Sequence, residues 1–362
     1  MSELPGDLVE EILCRVPTTS LNRLRYTCKR WNRLFNQRRF TRKHLDKAAK
    51  QFLVLMLKQR RVCLMSVNLN EIPSLEVKDE LTLIDPNSSV DQFMIFHVSH
   101  CDGLLLCNNV KKDRIVVWNP CTGETRWIQP RKIGYYVLGS YQDKKYDNTS
   151  YKILCCCDCD YNEFEIYEIN SNSWRTLDFT LECDMESNQW GMSLRGKTYC
   201  FASDEKEEHL GMFLVSFDYT TERFERLPLP YKCSFYEATS LSVVRDEKLS
   251  VLLELENTSR TEIWVTNKID HETKVVSWSK VLTVDLKPEL YNCYGISFLV
   301  DVEKKILMCC DINFSEEFNC KHMDMVYIVG EDNKVEKVNF GLPLSLPCLF
   351  NYVPSLTQIQ QG

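Results

Sequence analysis

The sequence predicts a small all-α unit over residues 1–50 and a large all-β domain over residues 51–362. Apolar residues in the first fifty positions recur at helical steps of three and four. After residue 50 the pattern changes to short aromatic and β-branched runs separated by turns, which is typical of strands. A strand-turn-strand unit then returns roughly every 50 residues, as in repeat architectures. Together these observations predict a helical module followed by a repeated sheet.

The first helix is predicted from Asp7, a good N-cap residue that is followed three positions later by Glu10, as in a capping box. Pro17 is expected to end this helix, because the residue before a proline is disfavoured in helical geometry. One face of the helix is apolar and is formed by Leu8, Ile12, Leu13 and Val16.

The second helix begins near Thr19 or Ser20 and carries an apolar stripe with steps of three, four, three and four: Leu21, Leu24, Cys28, Trp31 and Phe35. Residues 40–50 form a charged, helix-prone third segment. Three helices of this size bury too little surface to be stable alone. Their remaining apolar surface suits docking on another protein's helices or on the chain's own second domain, and periodicity leaves both open.

Three short motifs favour the first alternative: Leu4-Pro5, Pro17-x-x-Ser20-Leu21 and Cys28-Lys29-x-Trp31-Asn32. Together they resemble the F-box, the helical module that docks on the Skp adaptor of a cullin-type ubiquitin ligase. The resemblance implies that ten residues contact the adaptor: Leu4, Pro5, Leu8, Ile12, Val16, Leu21, Arg25, Cys28, Lys29 and Trp31. If the apolar patch were instead sealed against the chain's own sheets, the ligase hypothesis would fail.

Charge is divided unevenly along the chain. Residues 1–50 hold 12 Lys or Arg against 5 Asp or Glu, whereas the remainder holds 32 against 46, a net charge of −14. A net-acidic body argues against a broad nucleic-acid surface. The longest unbroken apolar run, Phe52–Leu57, is far too short to span a membrane. We therefore expect a cytoplasmic or nuclear protein that binds neither nucleic acid nor membrane, whose 18 cysteines stay reduced.

The all-β domain repeats one unit, in which an apolar strand, a polar turn and a second strand follow one another. Its turns are marked by Asn119, Asn170, Asp218, Asp270 and Asp332, which follow one another at intervals of roughly 50 to 60 positions. An interval of this length with four strands per interval is typical of propeller blades, and residues 51–362 hold about six such units. A pair of packed β-sandwiches is the alternative fold.

A second resemblance covers nearly all of this domain. It is carried by the order and spacing of Ser99-His100-Cys101-Asp102-Gly103, Trp118-Asn119-Pro120, Tyr151-Lys152-Ile153-Leu154, Ile263-Trp264-Val265-Thr266 and Tyr352-Val353-Pro354-Ser355-Leu356. These fragments look like the plant F-box-associated domain of the propeller type. His100 is inserted where that family usually runs Ser directly into Cys-Asp-Gly, and the insertion is expected to affect a turn.

Two patterns suggest chemistry that the sequence context does not favour. Residues 191–198 match the P-loop pattern, but the following residues continue as a strand, so that Arg195-Gly196 is predicted to be a hairpin turn. The run of residues 155–159 contains four cysteines, which suggests zinc or copper, but neighbouring residues on a strand point to opposite faces. The Cys320-Lys321-His322 run is discounted in the same way. No metal, cofactor or catalytic residue is predicted.

The two resemblances imply a substrate-recognition subunit of a Skp–cullin–F-box ubiquitin ligase, with Skp, cullin, RING and target proteins as partners. Such a chain would not itself be an enzyme. Two alternatives stay open: an adaptor-bound protein with a non-degradative role, and an enzyme that uses the propeller as a scaffold.

Overall fold

The N-terminal module contains four helices. The computed structural model describes residues 4–69, 73–86, 92–143, 148–157, 163–178, 181, 183–185, 191–204, 211–233, 236–255, 260–286, 296–311, 325–341 and 347–359. The helices are α1 (Gly6–Leu13), α2 (Thr18–Arg25), α3 (Lys29–Phe35) and α4 (Arg38–Lys47). A short connection, residues 48–52, joins the last helix to the first strand.

Helix α1 begins two residues earlier than its sequence predicts. Its N-cap is Pro5, whose carbonyl accepts hydrogen bonds from the backbone N–H groups of Leu8 and Val9, both at 3.1 Å. The prediction that Asp7 caps the helix is wrong, but its carboxylate still lies in the first turn, where the helix dipole favours negative charge. Pro17 does not end α1 directly: the helix ends at Leu13, and Pro17 is the N-cap of α2.

The predicted second helix is divided into α2 and α3, which gives the module four helices in place of three. The break follows Tyr26, where the backbone N–H and the Oγ1 of Thr27 both donate to the carbonyl of Leu24, at 3.0 and 2.7 Å. Threonine hydroxyls that bond local carbonyls compete with helix continuation. Cys28 is extended and its carbonyl accepts the first hydrogen bond of α3, from Asn32.

The strands form six sheets arranged as the blades of a propeller, which confirms the predicted fold. Blade 1 contains β1 (Leu53–Lys58), β2 (Arg61–Asn68), β3 (Ser74–Leu81) and the last strand of the chain, β25 (Cys348–Tyr352). Blade 2 contains β4 (His97–Cys101), β5 (Leu104–Asn108), β6 (Ile115–Trp118) and β7 (Thr125–Ile128). Blade 3 contains β8 (Gly134–Asp143), β9 (Asn148–Cys157), β10 (Phe164–Glu168) and β11 (Ser173–Thr176).

Blade 4 differs from the others because two short strands pair with the same neighbouring strand, one at each of its ends. It contains β12 (Asp184–Met185), β13 (Met192–Leu194), β14 (Lys197–Ser203), β15 (Phe213–Asp218) and β16 (Arg223–Leu227). Blade 5 contains β17 (Tyr236–Val244), β18 (Lys248–Leu255), β19 (Arg260–Asp270) and β20 (Val275–Asp285). Blade 6 contains β21 (Ile296–Asp301), β22 (Ile306–Asp311), β23 (Met325–Gly330) and β24 (Val335–Asn339).

The ring is closed by strands from opposite ends of the chain. β25 is the inner strand of blade 1 and pairs antiparallel with β1, from Leu53 opposite Tyr352 to Leu57 opposite Cys348. Closure by pairing removes two exposed sheet edges, which are otherwise prone to pair with foreign strands. The fold therefore depends on a contact between the first and the last strand of the sequence.

The repeated turns that mark the blades lie between the third and fourth strands, as the sequence predicts. In two of these turns the marker carboxylate accepts two backbone N–H groups: Asp218 Oδ1 from Thr220 and Thr221, and Asp270 Oδ1 from Glu272 and Thr273. In blades 2 to 6, a residue one or two positions before the fourth strand has positive φ. These residues are Gly123, Asn172, Glu222, Lys274 and Asn333. Side-chain capping and left-handed geometry together specify the turn.

The two discounted motifs are structural. Arg195 and Gly196 have φ values of 50° and 78° and join β13 to β14, which confirms the predicted hairpin. Cys155 and Cys157 pack in one core cluster and Cys156 in another, as alternation along β9 requires. Cys159 and the Cys320-Lys321-His322 run lie outside the described residues. In the described part of the chain, no group of three or more His, Cys, Asp or Glu side chains could hold a metal ion.

His100 lies in strand β4, close to the turn that its insertion is expected to affect. Its ring contacts Tyr352 edge-on, with centroids 5.5 Å apart, and its Nε2 accepts the backbone N–H of Gly103. The turn itself is formed by Asp102 and Gly103, both with positive φ. Among the helices that the structure describes, none is long and apolar enough to cross a membrane.

Candidate functional site: an apolar face on the first helix

The helical module has its own apolar core, completed by one residue from the far end of the chain. The core consists of buried Leu13, Cys14, Leu21, Phe35, Phe40 and Leu356. Leu356 is only 1% exposed and belongs to the segment that follows β25, here called the C-terminal segment (residues 353–359). A module too small to bury its own core is thus completed by the chain itself.

Hydrogen bonds fasten the C-terminal segment to the helical module. Thr18 Oγ1, which is buried, donates to the carbonyl of Pro354 at 3.0 Å. Gln358 Nε2 donates to the carbonyl of Asn36 at 2.7 Å. Both contacts join positions near opposite ends of the sequence, so that α2 and α3 are held by the end of the chain.

The same segment is fastened to blade 2 of the propeller. The buried Asn119 side chain donates from Nδ2 to the carbonyls of Ser355, at 3.1 Å, and Thr357, at 2.8 Å. Ser355 Oγ donates to the carbonyl of Asp102 at 2.9 Å, and the carboxylate of Glu124 accepts the backbone N–H of Ile359 at 2.9 Å. The C-terminal segment therefore lies between the helical module and the propeller and binds both.

Helix α1 is apolar on two sides, and only one of them is packed. Leu13 and the half-buried Val9 face the module's core. On the other side Leu8 and Ile12 lie about one helical turn apart and are 52% and 55% exposed, and Leu4, which precedes the N-cap Pro5, is 57% exposed. We call this row of three residues the α1 apolar face.

The structure separates the ten residues implied by resemblance into three groups. The exposed ones are Leu4, Pro5, Leu8, Ile12 and Lys29. The half-buried ones are Val16, Arg25, Cys28 and Trp31, of which Val16 and Trp31 pack against the module's core. Leu21 is fully buried in that core. The exposed residues on α1 are brought together, whereas Leu21 supports the module from within.

One exposed aromatic residue was missed by the sequence reasoning. Tyr26 follows α2 and is 82% exposed, the largest exposed fraction among the large apolar side chains that the structure describes. It lies outside the apolar stripe because the chain leaves helical geometry there. The sequence does contain an indication of the break that exposes it: Tyr26 and Thr27 both have low helix propensity and lie inside an otherwise helical run.

The polar side of α1 is held by α4. Lys47 Nζ lies 2.7 Å from Glu11 Oε1, and Lys43 Nζ lies 2.9 Å from Glu11 Oε2 and 3.1 Å from Glu10 Oε1. The ammonium groups of Lys47 and Lys43 lower the pKa of Glu11 to about 2. The ion pairs fix the rotation of α1, so that its apolar face points away from the module's core.

The unfolding free energy is expected to decrease as pH falls from about 7.5 to about 5.5. Burial lowers the pKa of His44, whose Nε2–H donates to the carbonyl of Val16 at 2.8 Å, below its ordinary value of 6.5. Burial also lowers the pKa of His97, to about 3. The unfolded chain then binds more protons than the folded chain below pH 6.5, which favours unfolding.

Urea titrations at these pH values measure this effect. The His44→Gln variant should show a weaker pH dependence than the unmodified chain, because one histidine that must stay neutral is gone. An unfolding free energy that is constant or rises as the pH falls would contradict the prediction.

The contacts place the helical module on one particular face of the propeller. In an antiparallel blade, the first-to-second and third-to-fourth connections lie at one end, and the remaining connections at the other. The module and the C-terminal segment contact Asp102, Asn119, Glu124 and, through Lys50 at 4.0 Å, Glu247. All four lie between the first and second strands or between the third and fourth strands of a blade, and therefore at the same end of the propeller. We call this end the module face and the opposite end the distal face.

The longest connections lie at the distal face. Within the blades, those at the module face are short, as in 119–124 between β6 and β7. The distal connection between β3 and β4, residues 82–96, is more than twice as long. Long loops on a rigid scaffold are where binding residues concentrate.

These features define a class of protein: a small helical module with an exposed apolar face, fastened to a six-bladed propeller. Two family models match the chain, the F-box domain over residues 1–43 and the F-box associated beta propeller domain over residues 53–359. The chain belongs to the family of F-box proteins with an F-box associated beta propeller domain.

Curated relatives from Arabidopsis thaliana agree over full length. A probable F-box protein is 62% identical, covering all of this chain and 88% of that protein. A putative F-box protein is 55% identical, covering all of this chain and 99% of that protein. A third, an F-box/kelch-repeat protein, is 48% identical, with coverage of 99% and 97%.

Proposed function

We propose that this chain is the substrate-recognition subunit of a Skp–cullin–F-box ubiquitin ligase. The α1 apolar face docks on the Skp adaptor, and the propeller holds a target protein. The observation that carries the proposal is the α1 apolar face itself: a helix already packed on one side exposes Leu8 and Ile12 on the other, and Leu4 just before the helix is exposed as well. Such a row is unfavourable in water and suits the groove of a helical partner.

In this proposal the chain positions the target protein and catalyses no step itself. The cullin and RING subunits bring a ubiquitin-charged enzyme to the complex, and the propeller brings the target. Holding both on one assembly raises the effective concentration of target lysines beside the activated ubiquitin. Loss of the chain should therefore abolish target modification without changing the intrinsic activity of the enzyme.

The C-terminal segment supports this function because it fixes the geometry between the two binding surfaces. Leu356 is packed in the core of the helical module, while its neighbours Ser355 and Thr357 accept hydrogen bonds from Asn119 of blade 2. A module joined only by the residues between α4 and β1 would rotate freely against the propeller. The segment instead supplies a second attachment, which keeps the target at a defined distance from the adaptor.

The distal face is the proposed target surface. The helical module contacts the module face, which reduces the area available there. The distal face carries the longer connections and points away from the adaptor-binding helix.

Affinity capture in plant cells with proteasomal turnover blocked tests the proposal. The unmodified chain should bring down Skp adaptor, cullin and target, and the captured target should be ubiquitinated when the ligase is reconstituted from purified subunits. A variant without the α1 apolar face should keep the target and lose adaptor and cullin. Adaptor capture without modification of any captured target would overturn the degradative role.

A further inference from the structure

Exposed apolar side chains are concentrated at one place on the propeller, the distal face of blade 2. Ile84 and Met94 lie in the connection between β3 and β4, Val110 between β5 and β6, and Ile133 between β7 and β8. These four are 64%, 42%, 47% and 57% exposed. They make up half of the large exposed apolar side chains in the described part of the propeller, and we call them the blade-2 patch.

The three connections that carry the blade-2 patch contact one another. The backbone N–H of Phe96 donates to the carbonyl of Asn108 at 2.8 Å. Gln129 Nε2 donates to the carbonyl of Asp113 at 3.1 Å, and Lys112 Nζ lies 4.0 Å from the ring centroid of Tyr135. These contacts link the connections that carry the patch to one another and to the ends of β5 and β8.

The surface is supported by a packed layer beneath it. The ring of Phe93 meets Trp127 edge-on with centroids 5.1 Å apart, and the guanidinium of Arg114 lies 4.8 Å from the centroid of the same indole. Arg114 also pairs with the buried carboxylate of Asp85, beside Ile84. These contacts fix the backbone-proximal layer beside the patch, and a preformed surface costs less to order when a ligand binds.

The surroundings of the patch are basic, in contrast with the acidic body of the propeller. The β1–β2 turn is part of this surface, since the backbone N–H of Ile95 donates to the carbonyl of Arg60. Eight cationic side chains lie on or beside these connections: Lys58, Arg60, Arg61, Lys111, Lys112, Arg114, Arg131 and Lys132. The described carboxylates that lie among them or pair with them are Glu80, Asp85, Asp113, Glu163 and Glu165.

Among the described residues the local balance is positive, eight against five, within a domain that carries 32 basic and 46 acidic residues; Asp91 of the β3–β4 connection lies outside the described residues. Apolar side chains surrounded by cations favour a ligand with the complementary pattern, because the apolar groups supply affinity and the charges supply selectivity. Lys111 is exposed beside Val110 and is well placed to pair with a ligand carboxylate.

We infer that the blade-2 patch binds an extended segment of the target protein in which apolar residues alternate or cluster with Asp and Glu. This inference rests on the proposed function, since it assigns that function's target surface to one blade. The apolar side chains of the segment cover Ile84, Met94, Val110 and Ile133, and its carboxylates face Lys111, Lys112 and Arg131.

Selection from a random peptide library displayed on messenger RNA tests the inference. The bait is the full-length chain in complex with Skp adaptor. Enriched peptides should be acidic and apolar, and their affinity, measured by fluorescence anisotropy, should fall about tenfold or more in the Val110→Asp, Ile133→Asp double variant. The matched control is Val275→Asp with Val302→Asp, two exposed valines elsewhere on the propeller, which should leave the affinity unchanged.

Failure to enrich peptides, enrichment of basic peptides, or equal binding to both double variants would overturn the inference. A labelled single-stranded RNA is measured in parallel, and tighter binding of RNA than of the selected peptide at the patch would also overturn it. Fusing an enriched peptide to a lysine-rich reporter separates the two proposals. A reporter that binds the patch but is not ubiquitinated by the reconstituted ligase contradicts the proposed function alone.

Discussion

Replacing Leu4, Leu8 and Ile12 by Ala in the full-length chain is expected to abolish co-purification with the Skp adaptor. Each truncation removes about 1–2 kcal/mol of apolar burial at the interface, so the dissociation constant should rise by about a hundredfold or more. The fold should be unaffected, because the three side chains are more than half exposed and make few internal contacts.

Adaptor binding is measured by co-purification and titration calorimetry, and folding by the midpoint of thermal unfolding. The control is a chain with Val275→Ala and Val302→Ala, which removes exposed apolar groups far from α1 and should bind normally. Undiminished adaptor binding by the triple variant would place the docking surface elsewhere. Loss of binding together with a much lower unfolding midpoint would also contradict the prediction, because it would show that these residues hold the module together.

Replacing Leu356 by Ala is expected to lower the unfolding free energy by about 2–5 kcal/mol, the usual cost of truncating a buried leucine. The residue is 1% exposed and packs among Leu13, Leu21, Phe35 and Phe40. Its loss leaves a cavity in the only described apolar core that joins the helical module to the C-terminal segment. The module should then separate from the propeller before the propeller unfolds.

Urea unfolding measures the loss of stability, and limited proteolysis between residues 47 and 53 measures separation of the module. The control is Leu307→Ala, which truncates a fully buried leucine in blade 6. Both variants should be destabilised by similar amounts, but only Leu356→Ala should become sensitive to protease between α4 and β1. Equal sensitivity of the two variants would show that the C-terminal segment does not fasten the module.

Local patterns in the sequence were sufficient for the elements and their repeat. The turn markers Asp218 and Asp270 act within two or three residues of themselves, so a short stretch of sequence contains the whole interaction. The Arg195-Gly196 hairpin is local in the same way and needed no knowledge of the rest of the chain. For the same reason the apolar residues of α1 could be named in advance.

Periodicity was less informative about what each apolar face contacts. The stripe that includes Leu21 and Trp31 reads as one helix available for docking, but the chain breaks after Tyr26 and turns these residues into the module's own core. A sequence shows that a face is apolar, whereas its partner is chosen by the packing of all the elements together.

The sequence by itself determined the family, the order of a helical module and a bladed sheet, the turn that repeats in each blade, and the presence of apolar residues on α1. Only the tertiary structure decided that β25 closes the ring, that Leu356 completes the helical core, and which side of α1 stays exposed. The physical reason is sequence separation. Turns and helix faces depend on neighbours a few residues away, whereas the contact between Thr18 and Pro354 joins residues 336 positions apart.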